Sequence, residues 1–389
     1  MPELFLQGVR VLDLTRLLPG GYASLLLADM GAEVIKVEDP RGGALDSLTP
    51  ALSVLDRNKK SITLDLRQPR GRELCLKLAA EADVVLESFR PGVATALGIG
   101  YEQVRALNPR VVYTSITGWG QTGPLARLAA HDINYMSVAG ALGLTGLRDG
   151  QPVIPGVQVA DLSVGLMAAL STVSALRRVA GGGTGAYIDA AMFDVVASWL
   201  ALPAALYWNG LGPTPERGAY ALNGGFVCYN LYQTSDGEWM ALGALEPKFW
   251  ANFCRAVERP DLLDKAYAPA VAEEPAFAEV SALFRRRTRE EWTELGRAAD
   301  CCLTPVLHLP EALTSSQMQA RGMVCSDANG RPTDLAHPAT TSDGRRGRGP
   351  GPIPRAGQDT VSVLSALGVT AEELEELQRS GVIGTPEAG

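Results

Sequence analysis

The sequence predicts an α/β protein with a large, doubly wound (Rossmann-like) domain and a smaller α+β domain. Two observations carry this prediction. Short apolar runs alternate with helical patterns over the first 115 residues, which is typical of a parallel sheet flanked by helices. A stretch rich in glycine and proline, residues 205–224, then separates this series from a second group of strands and helices.

The elements of the large domain follow in a regular order. A strand over residues 9–14, a helix over 22–30 that ends at Gly31 and a strand over 34–37 form a β-α-β unit, which implies a parallel sheet. A strand over 61–66, a helix over 71–82 and a strand over 84–88 continue the pattern. A strand that begins at Val111 closes the predicted series.

Later elements are predicted in the same way. An apolar run over 133–144 predicts a helix with Asp132 as its N-cap, and a second apolar helix covers 159–180 with Asp161 near its start. In the smaller module, strands over 226–234 and 239–243 precede helices over 247–257 and 276–299. A loop-rich tract over 337–358 leads to a final helix with a capping box, Thr370 to Glu373.

Composition excludes several classes of protein. A net charge of −8, from 35 basic and 43 acidic residues, argues against a nucleic-acid partner. Six cysteines without a C-x-x-C pair and three histidines without metal-ligand spacing predict a reduced, cytoplasmic protein without a metal site. The first six residues do not form a signal peptide, and the longest apolar stretch, 195–208, is too short to span a membrane.

The first strand-to-helix connection lacks a dinucleotide fingerprint. Residues 17–22 read Leu-Leu-Pro-Gly-Gly-Tyr and not G-x-G-x-x-G, which disfavours a nicotinamide cofactor. Side chains near the strand ends are an alternative means of holding phosphate; the basic ones are Arg41, Arg57, Lys59, Lys60, Arg67 and Arg90. Two interpretations stay open, an anion site that includes some of them and a set of solvated surface charges.

A histidine at a predicted helix start suggests proton chemistry. His131 follows a glycine-rich loop, 118–124, and precedes the predicted N-cap Asp132. Free backbone N–H groups at a helix start stabilise negative charge, and an adjacent histidine can accept a proton, so the pair suits proton removal next to a carbonyl. Alternatively, His131 only packs near a helix end. Asp161 has two interpretations as well, a structural cap and a catalytic base or nucleophile.

Taken together, these motifs resemble the class III CoA-transferase family and, within it, the α-methylacyl-CoA racemase branch. The resemblance covers nearly the whole chain. The runs that carry the family resemblance are 11–16, 27–38, 58–66 and 90–93. The branch is indicated by 118–124 together with His131-Asp132-Ile133-Asn134-Tyr135, and 243–249 agrees with it.

The resemblance implies an interlocked homodimer whose active site lies where one subunit's large domain meets the other's small domain. It divides the chain into the N-terminal part of a CoA-binding domain (1–200), a linker (201–224), a small α+β domain (225–310) and a C-terminal part that returns to the large domain (311–389). The substrate is expected to be an acyl-CoA, with no cofactor beyond its CoA moiety, no metal and no membrane or nucleic-acid partner.

Carried over by position, His131 and Asp161 match the racemases' two acid/base residues, and Glu246 matches a carboxylate that supports the histidine. The residues that match the family's CoA-binding segments are Asp65, Leu66, Arg67, Ser88, Phe89, Arg90, Ala130, Asp132 and Tyr135. The chain departs from the racemases at Asp39 and Ala96, where they often carry arginines, and at Ala130, where they usually have glycine. Arg41 or Arg57 is expected to replace the missing arginines.

The resemblance favours racemisation of a 2-methylacyl-CoA thioester, with His131 and Asp161 on opposite faces of a planar enolate. The alternative is CoA transfer between carboxylic acids, with Asp161 as the nucleophile and an aspartyl-CoA intermediate. His131 discriminates between the two, because transfer gives it no evident task. A non-catalytic acyl-CoA-binding protein and an NAD-dependent dehydrogenase are weaker alternatives.

Overall fold

The computed structural model describes residues 4–42, 49–211, 214–327, 329–340, 346–349 and 351–384. Some predicted features extend outside these residues. They include residues 1–3 of the N-terminal segment, Gly212 and Pro213 of the predicted linker, residues 341–345 and 350 of the loop-rich tract, and residues 385–389 of the C-terminal part.

Strands and helices are numbered separately in chain order. The strands are β1 Arg10–Leu14, β2 Glu33–Glu38, β3 Lys59–Thr63, β4 Val84–Glu87, β5 Val112–Thr117, β6 Ala186–Ala191, β7 Tyr229–Gln233, β8 Trp239–Gly243, β9 Leu303–Pro305, β10 Val324–Ser326 and β11 Pro332–Leu335. The helices are α1 Leu17–Asp29, α2 Thr49–Leu52, α3 Pro69–Glu81, α4 Val93–Ala96, α5 Tyr101–Leu107, α6 Asp132–Ala139, α7 Val159–Ala180, α8 Met192–Ser198, α9 Ala201–Trp208, α10 Pro247–Ala256, α11 Pro275–Phe284, α12 Arg289–Ala299, α13 Leu309–Thr314, α14 Ser316–Ala320, α15 Thr360–Ala366 and α16 Ala371–Arg379.

A parallel sheet of six strands, in the order β3-β2-β1-β4-β5-β6, forms the centre of the first compact unit, residues 1–139, 157–198 and 316–389. This confirms the predicted parallel α/β architecture. The prediction that the strand at Val111 closes the series is wrong, because β6 pairs with β5 from Val112↔Ala186 to Thr117↔Ala191. As an edge strand with alternating exposure, β6 lacks the continuous apolar run by which the inner strands were identified.

Apolar cores cover both faces of this sheet. One contains Ile62, Leu74 and Tyr113 together with Leu364 and Leu377 from the C-terminal helices. The other is formed by residues of α1, β2, β4, β5 and α7. Helices on both faces explain why the inner strands read as nearly unbroken hydrophobic runs.

A buried ion network lies behind the carboxyl end of β1. The Lys59 ammonium contacts Asp13 at 3.4 Å, Asp56 at 3.1 Å and the Ser24 hydroxyl at 2.7 Å, and its side chain has no exposed surface. Asp13 in turn accepts hydrogen bonds from the backbone N–H and the hydroxyl of Thr15. The network therefore fixes the loop that leads from β1 into α1.

Helix α7 is the one helix of the described chain that is long and apolar enough to cross a membrane by length and composition alone. It packs against α1, β5 and β6, and helices that pack in a protein core pass the same test.

The second compact unit comprises residues 140–156 and 199–315. The predicted strands are confirmed as β7 and β8, which form an antiparallel sheet with β9. Its core contains stacked aromatic rings, including Tyr232 and Phe284 at 4.6 Å between ring centroids. The single helix predicted over 276–299 is two helices, because Thr288 caps α12 in a capping box with Glu291 and ends the continuity with α11. Part of the predicted linker is helical, as α9.

Candidate active site

The side chain of Asp132 joins the starts of α6 and α7. Asp132 is buried, and its Oδ1 accepts hydrogen bonds from the backbone N–H groups of Ala160, at 2.7 Å, and Asp161, at 3.1 Å. These are the second and third residues of α7, whose N–H groups have no acceptor within the helix. Asp132 therefore caps a helix that begins 27 residues further along the chain.

The prediction that Asp132 caps its own helix is consequently wrong. Asp132 is the first residue of α6 and not the residue before it. The start of α6 is held instead by Asn134, whose side-chain oxygen accepts the backbone N–H of His131 at 3.0 Å. The carbonyl of His131 accepts the backbone N–H of Asn134 at 2.8 Å. His131 thus stands at the helix start, with an exposed side chain.

The carboxyl group of Asp161 has a pKa above the ordinary value for an aspartate. It is partly buried in the first turn of α7. Burial and the nearby charge of Asp132 raise its pKa to about 6, and a positive charge on His131 opposes the rise. Since these influences act over short distances, the capping contact brings His131 and Asp161, 30 positions apart in sequence, into one electrostatic environment. A carboxyl with this pKa can give or take a proton near neutral pH.

The backbone before His131 is held by aromatic side chains. The Tyr135 hydroxyl donates to the carbonyl of Ala130 at 3.0 Å, and the Trp119 indole N–H donates to the carbonyl of Leu128 at 3.1 Å. The two rings meet edge to face, 4.8 Å apart. Gly118 is required here, because a Cβ at that position would lie 2.2 Å from the Tyr135 hydroxyl. The glycine-rich loop therefore supports the chain that carries the histidine.

A cavity of about 300 Å³ lies at the carboxyl ends of β1 to β4. Four of the residues matched to CoA-binding segments line it, namely Asp65, Leu66, Arg67 and Phe89. Its walls include apolar side chains of Leu14, Val37 and Leu64. Ligands of open α/β sheets bind in this place, next to the point where the strand order reverses between β1 and β4.

The two remaining residues of the 88–90 segment lie at that reversal point. Ser88 accepts the backbone N–H of Arg16 at 2.8 Å, and the Arg16 guanidinium lies 5.9 Å from the centroid of the Phe89 ring. Arg90 is exposed. It lies near enough to Tyr135 to oppose the rise that burial causes in the pKa of that phenol. Among the described residues, neither Arg16 nor Arg90 forms an ion pair.

The other predicted arginines are engaged differently. Arg67 bonds Asp65 at 2.8 Å and Asp39 at 3.0 Å, and Arg41 bonds Asp39 at 3.1 Å. The expectation that Arg57 replaces a phosphate-binding arginine is wrong. Its guanidinium is buried and contacts Asp29, at 2.6 Å, and Asp334.

Glu246 belongs to the second unit, at the N-cap position of α10. It is exposed, its carbonyl accepts the backbone N–H of Phe249 at 2.9 Å, and its side chain caps nothing. Partial desolvation and, after it, the charge of Glu246 raise the pKa of the Cys302 thiol. Its predicted support of His131 stays a prediction.

A polar chain that starts at two buried residues, Glu87 and Ser115, was not foreseen from the sequence. Glu87, at the end of β4, accepts the backbone N–H of Phe89 at 2.7 Å and the hydroxyl of Ser115. Gln121 donates to Ser115 at 2.7 Å and, through its backbone, to Asp189 at 2.9 Å. Burial raises the pKa of Glu87. The available signal was an acidic residue directly after three apolar ones in a predicted inner strand.

Within the described residues, no group of three or more histidine, cysteine or acidic side chains is arranged to hold a metal ion. The polar side chains at the carboxyl edge of the sheet are carboxylates, arginines and neutral hydrogen-bonding groups.

Comparisons with known proteins identify the family to which the chain is similar. Residues 6–360 match the model of CoA-transferase family III. The chain is 35% identical to human alpha-methylacyl-CoA racemase, over 97% of each chain. It is 32% identical to mouse succinyl-CoA:glutarate CoA-transferase, over 97% of this chain and 90% of the relative. The crystal structure of a CAIB/BAIF family protein from Brucella suis superimposes with a TM-score of 0.81 at 30% identity, over 94% of this chain and all of the other.

Proposed function

This chain belongs to CoA-transferase family III, and from that premise we propose that it interconverts (R)- and (S)-2-methylacyl-CoA thioesters by proton transfer at the α-carbon. The observation that carries the proposal is the pair of hydrogen bonds by which the Asp132 side chain connects the start of α6 to the start of α7. His131 stands at the first of these helix starts, and Asp161, whose pKa is raised, stands at the second. Racemisation needs two such groups, because the proton leaves one face of the carbon and returns to the other.

In the proposed mechanism His131 removes the α-proton from one enantiomer, and Asp161, in its protonated form, delivers a proton to the opposite face of the planar enolate. In the reverse direction the roles exchange. A pKa of about 6 supports this, since both protonation states of Asp161 are accessible near neutral pH. The backbone N–H of Asp132 is the proposed donor to the enolate oxygen. Removing one such donor typically costs roughly 2.7–4 kcal/mol of barrier.

Glu246 is proposed, from the resemblance, to steady the charged form of the imidazole, and the active enzyme to be a homodimer. The CoA moiety is proposed to lie along the cavity of Asp65, Leu66, Arg67 and Phe89, with Arg16 and Arg90 at the reversal point of the sheet. The diphosphate of CoA would meet these two arginines, which form no ion pair with a carboxylate among the described residues.

CoA transfer is the second candidate, because relatives named as CoA-transferases are nearly as similar as those named as racemases. The Asp161 carboxylate would attack the thioester carbonyl and expel the CoA thiolate, leaving an acyl anhydride. The thiolate would then attack the aspartyl carbonyl, which releases the carboxylic acid and forms an aspartyl-CoA thioester. An acceptor acid would reverse these steps. His131 has no part in this sequence.

The test uses each pure enantiomer of a 2-methylacyl-CoA in D₂O, with His131→Gln and Asp161→Asn, and His337→Gln as the control for a partly exposed histidine. Wild type and His337→Gln should invert both enantiomers and incorporate deuterium. Each of the variants His131→Gln and Asp161→Asn retains one of the two bases. Each should therefore lose inversion but still exchange the α-proton of one enantiomer, and the enantiomer that exchanges should differ between the two variants.

Two results contradict the proposal. Inversion at the wild-type rate in His131→Gln removes the histidine from the mechanism. Absence of exchange in wild type across short, long and aryl acyl chains, with CoA moving to an added free acid, assigns the chain to CoA transfer.

A further inference from the structure

The charges along the cavity of Asp65, Leu66, Arg67 and Phe89 are divided unequally between its two ends. At the reversal point of the sheet, Arg16 lines the cavity and Arg90 follows the lining residue Phe89 in the chain. Both arginines are exposed, and neither forms an ion pair with the described residues. At the other end, after β2 and β3, both arginines are bound by carboxylates.

Two arginines and two aspartates make up this second end. Arg67 donates from Nε to Asp65 and from Nη2 to Asp39, at 2.8 and 3.0 Å. Arg41 donates to Asp39 from its backbone N–H and its guanidinium, at 3.0 and 3.1 Å, and lies 3.8 Å from Asp65. The four formal charges sum to zero, and every oxygen of Asp39 is already an acceptor. We call these four residues the Arg–Asp quartet.

The quartet lies beyond the carboxyl ends of β2 and β3, and Asp39 directly follows β2. In doubly wound sheets that bind dinucleotides, an acidic residue in this region bonds the ribose 2′-hydroxyl, whereas a nearby arginine accommodates a 2′-phosphate. We expect the same discrimination for the phosphorylated ribose of CoA. The apolar wall of Leu14, Val37 and Phe89 suits a flat base beside it. A phosphate on the ribose would face two carboxylates, and it would find both guanidinium groups already paired.

On the basis of the proposed function, we propose that Asp39 makes the enzyme indifferent to the 3′-phosphate of CoA, so that the substrate class is acyl thioesters of both CoA and 3′-dephospho-CoA. The diphosphate is held at the reversal point by Arg16 and Arg90, and the ribose end contributes no net attraction for a further phosphate. Asp39 is thus a residue that determines specificity without touching the reacting atoms.

The affinity for the free nucleotide can be measured without turnover, so it tests the role of Asp39 independently of the proposed reaction. CoA and 3′-dephospho-CoA are titrated into wild type, Asp39→Asn and Glu33→Gln by calorimetry, at low and at moderate salt. Glu33 is a matched control, because it lies at the opposite end of β2, is also paired with a basic residue, Lys60 at 2.5 Å, and loses the same charge. Melting curves establish that each variant is folded.

Wild type and Glu33→Gln should bind the two molecules with dissociation constants within threefold of each other and with equal salt dependence. Asp39→Asn releases Arg41 and part of Arg67, so it should bind CoA about tenfold tighter, with a steeper salt dependence, and 3′-dephospho-CoA within threefold of wild type. Tenfold or greater preference of wild type for CoA would overturn the inference, as would an unchanged preference in folded Asp39→Asn. If wild type binds neither molecule, the proposed function fails and this inference falls with it. Binding of both without racemisation leaves the nucleotide inference standing and refutes only the reaction.

Discussion

The carboxylate of Asp132 has two separable effects, a hydrogen-bonding one on the start of α7 and an electrostatic one on Asp161. Asp132→Ala removes both. Asp132→Asn keeps the Oδ1 acceptor for the N–H groups of Ala160 and Asp161 and removes only the charge. The pair of variants therefore tests the two effects independently.

The hydrogen-bonding effect can be sized from the two contacts. Loss of an N-cap costs up to about 2 kcal/mol, and an unsatisfied buried donor costs about 1–3 kcal/mol. Because the two contacts, at 2.7 and 3.1 Å, share one acceptor atom, we expect about 2 kcal/mol for Asp132→Ala. This corresponds to a fall of about 4–8 °C in Tm. Asp132→Asn should lose less than about half of that.

The electrostatic effect has a definite sign. The raised pKa of Asp161 means that its ionisation costs the folded state stability, a cost that appears as pH rises from 3.8 through about 6. Removing the charge of Asp132 lowers that pKa. The acid limb of the pH profile for α-proton exchange, in the direction in which Asp161 is the base, should move to lower pH in Asp132→Asn.

The assay combines melting curves with deuterium incorporation between pH 5 and 8 under kcat/KM conditions. An unchanged Tm in Asp132→Ala would refute the capping argument. An unchanged acid limb in Asp132→Asn would refute the electrostatic one, whatever the Tm shows.

Two further predictions concern buried charges. Lys59→Met leaves Asp13 buried without its main partner and should lower the free energy of unfolding by about 3–5 kcal/mol, as measured by denaturant titration. Adding Asp13→Asn to the same chain should restore part of the lost stability. Burial opposes ionisation of Asp13, but Lys59 and other neighbours hold its pKa below 3.8, so its stabilising contribution should be lost as pH falls below that value. Glu87→Ala removes the acceptor for the Phe89 N–H, so it should raise KM for the acyl-CoA about tenfold and leave kcat within about threefold of wild type. Glu87→Gln keeps an acceptor, and its KM should stay near that of wild type. Equal KM values in both variants would contradict a positioning role.

Local patterns were sufficient for much of the fold. The inner strands could be predicted because burial on both faces of the sheet requires continuous apolar residues. The predicted capping box from Thr370 to Glu373 was confirmed, since its hydrogen bonds all lie within one helical turn. Strand β6 was missed, since an edge strand carries no such run. The break before α12 was missed because a helical pattern on either side concealed the cap at Thr288.

The candidate site shows a different limit. The sequence places Asp132 beside a helix start, but the helix whose N–H groups it binds begins at Val159, and no local pattern encodes a contact over that separation. Arg67 was predicted to follow a strand directly, but β3 ends earlier, at Thr63. Its pairing with Asp39 depends on the register that sets β2 beside β3. Long-range pairing therefore decides which of the predicted charges are free to meet a ligand.

The first unit also imposes an order on biosynthesis. The backbone N–H of Ser61 in β3 is bonded to Asp359, 298 residues later, so β3 emerges from the ribosome long before the segment that completes its surroundings. At about 5–20 residues per second, the delay is roughly 15–60 s. The aromatic core of the second unit is complete by residue 303. The unit whose chain starts first is therefore the last to close, and nascent chains held before α15 should leave the apolar face formed by Ile62 and Leu64 open to chaperones.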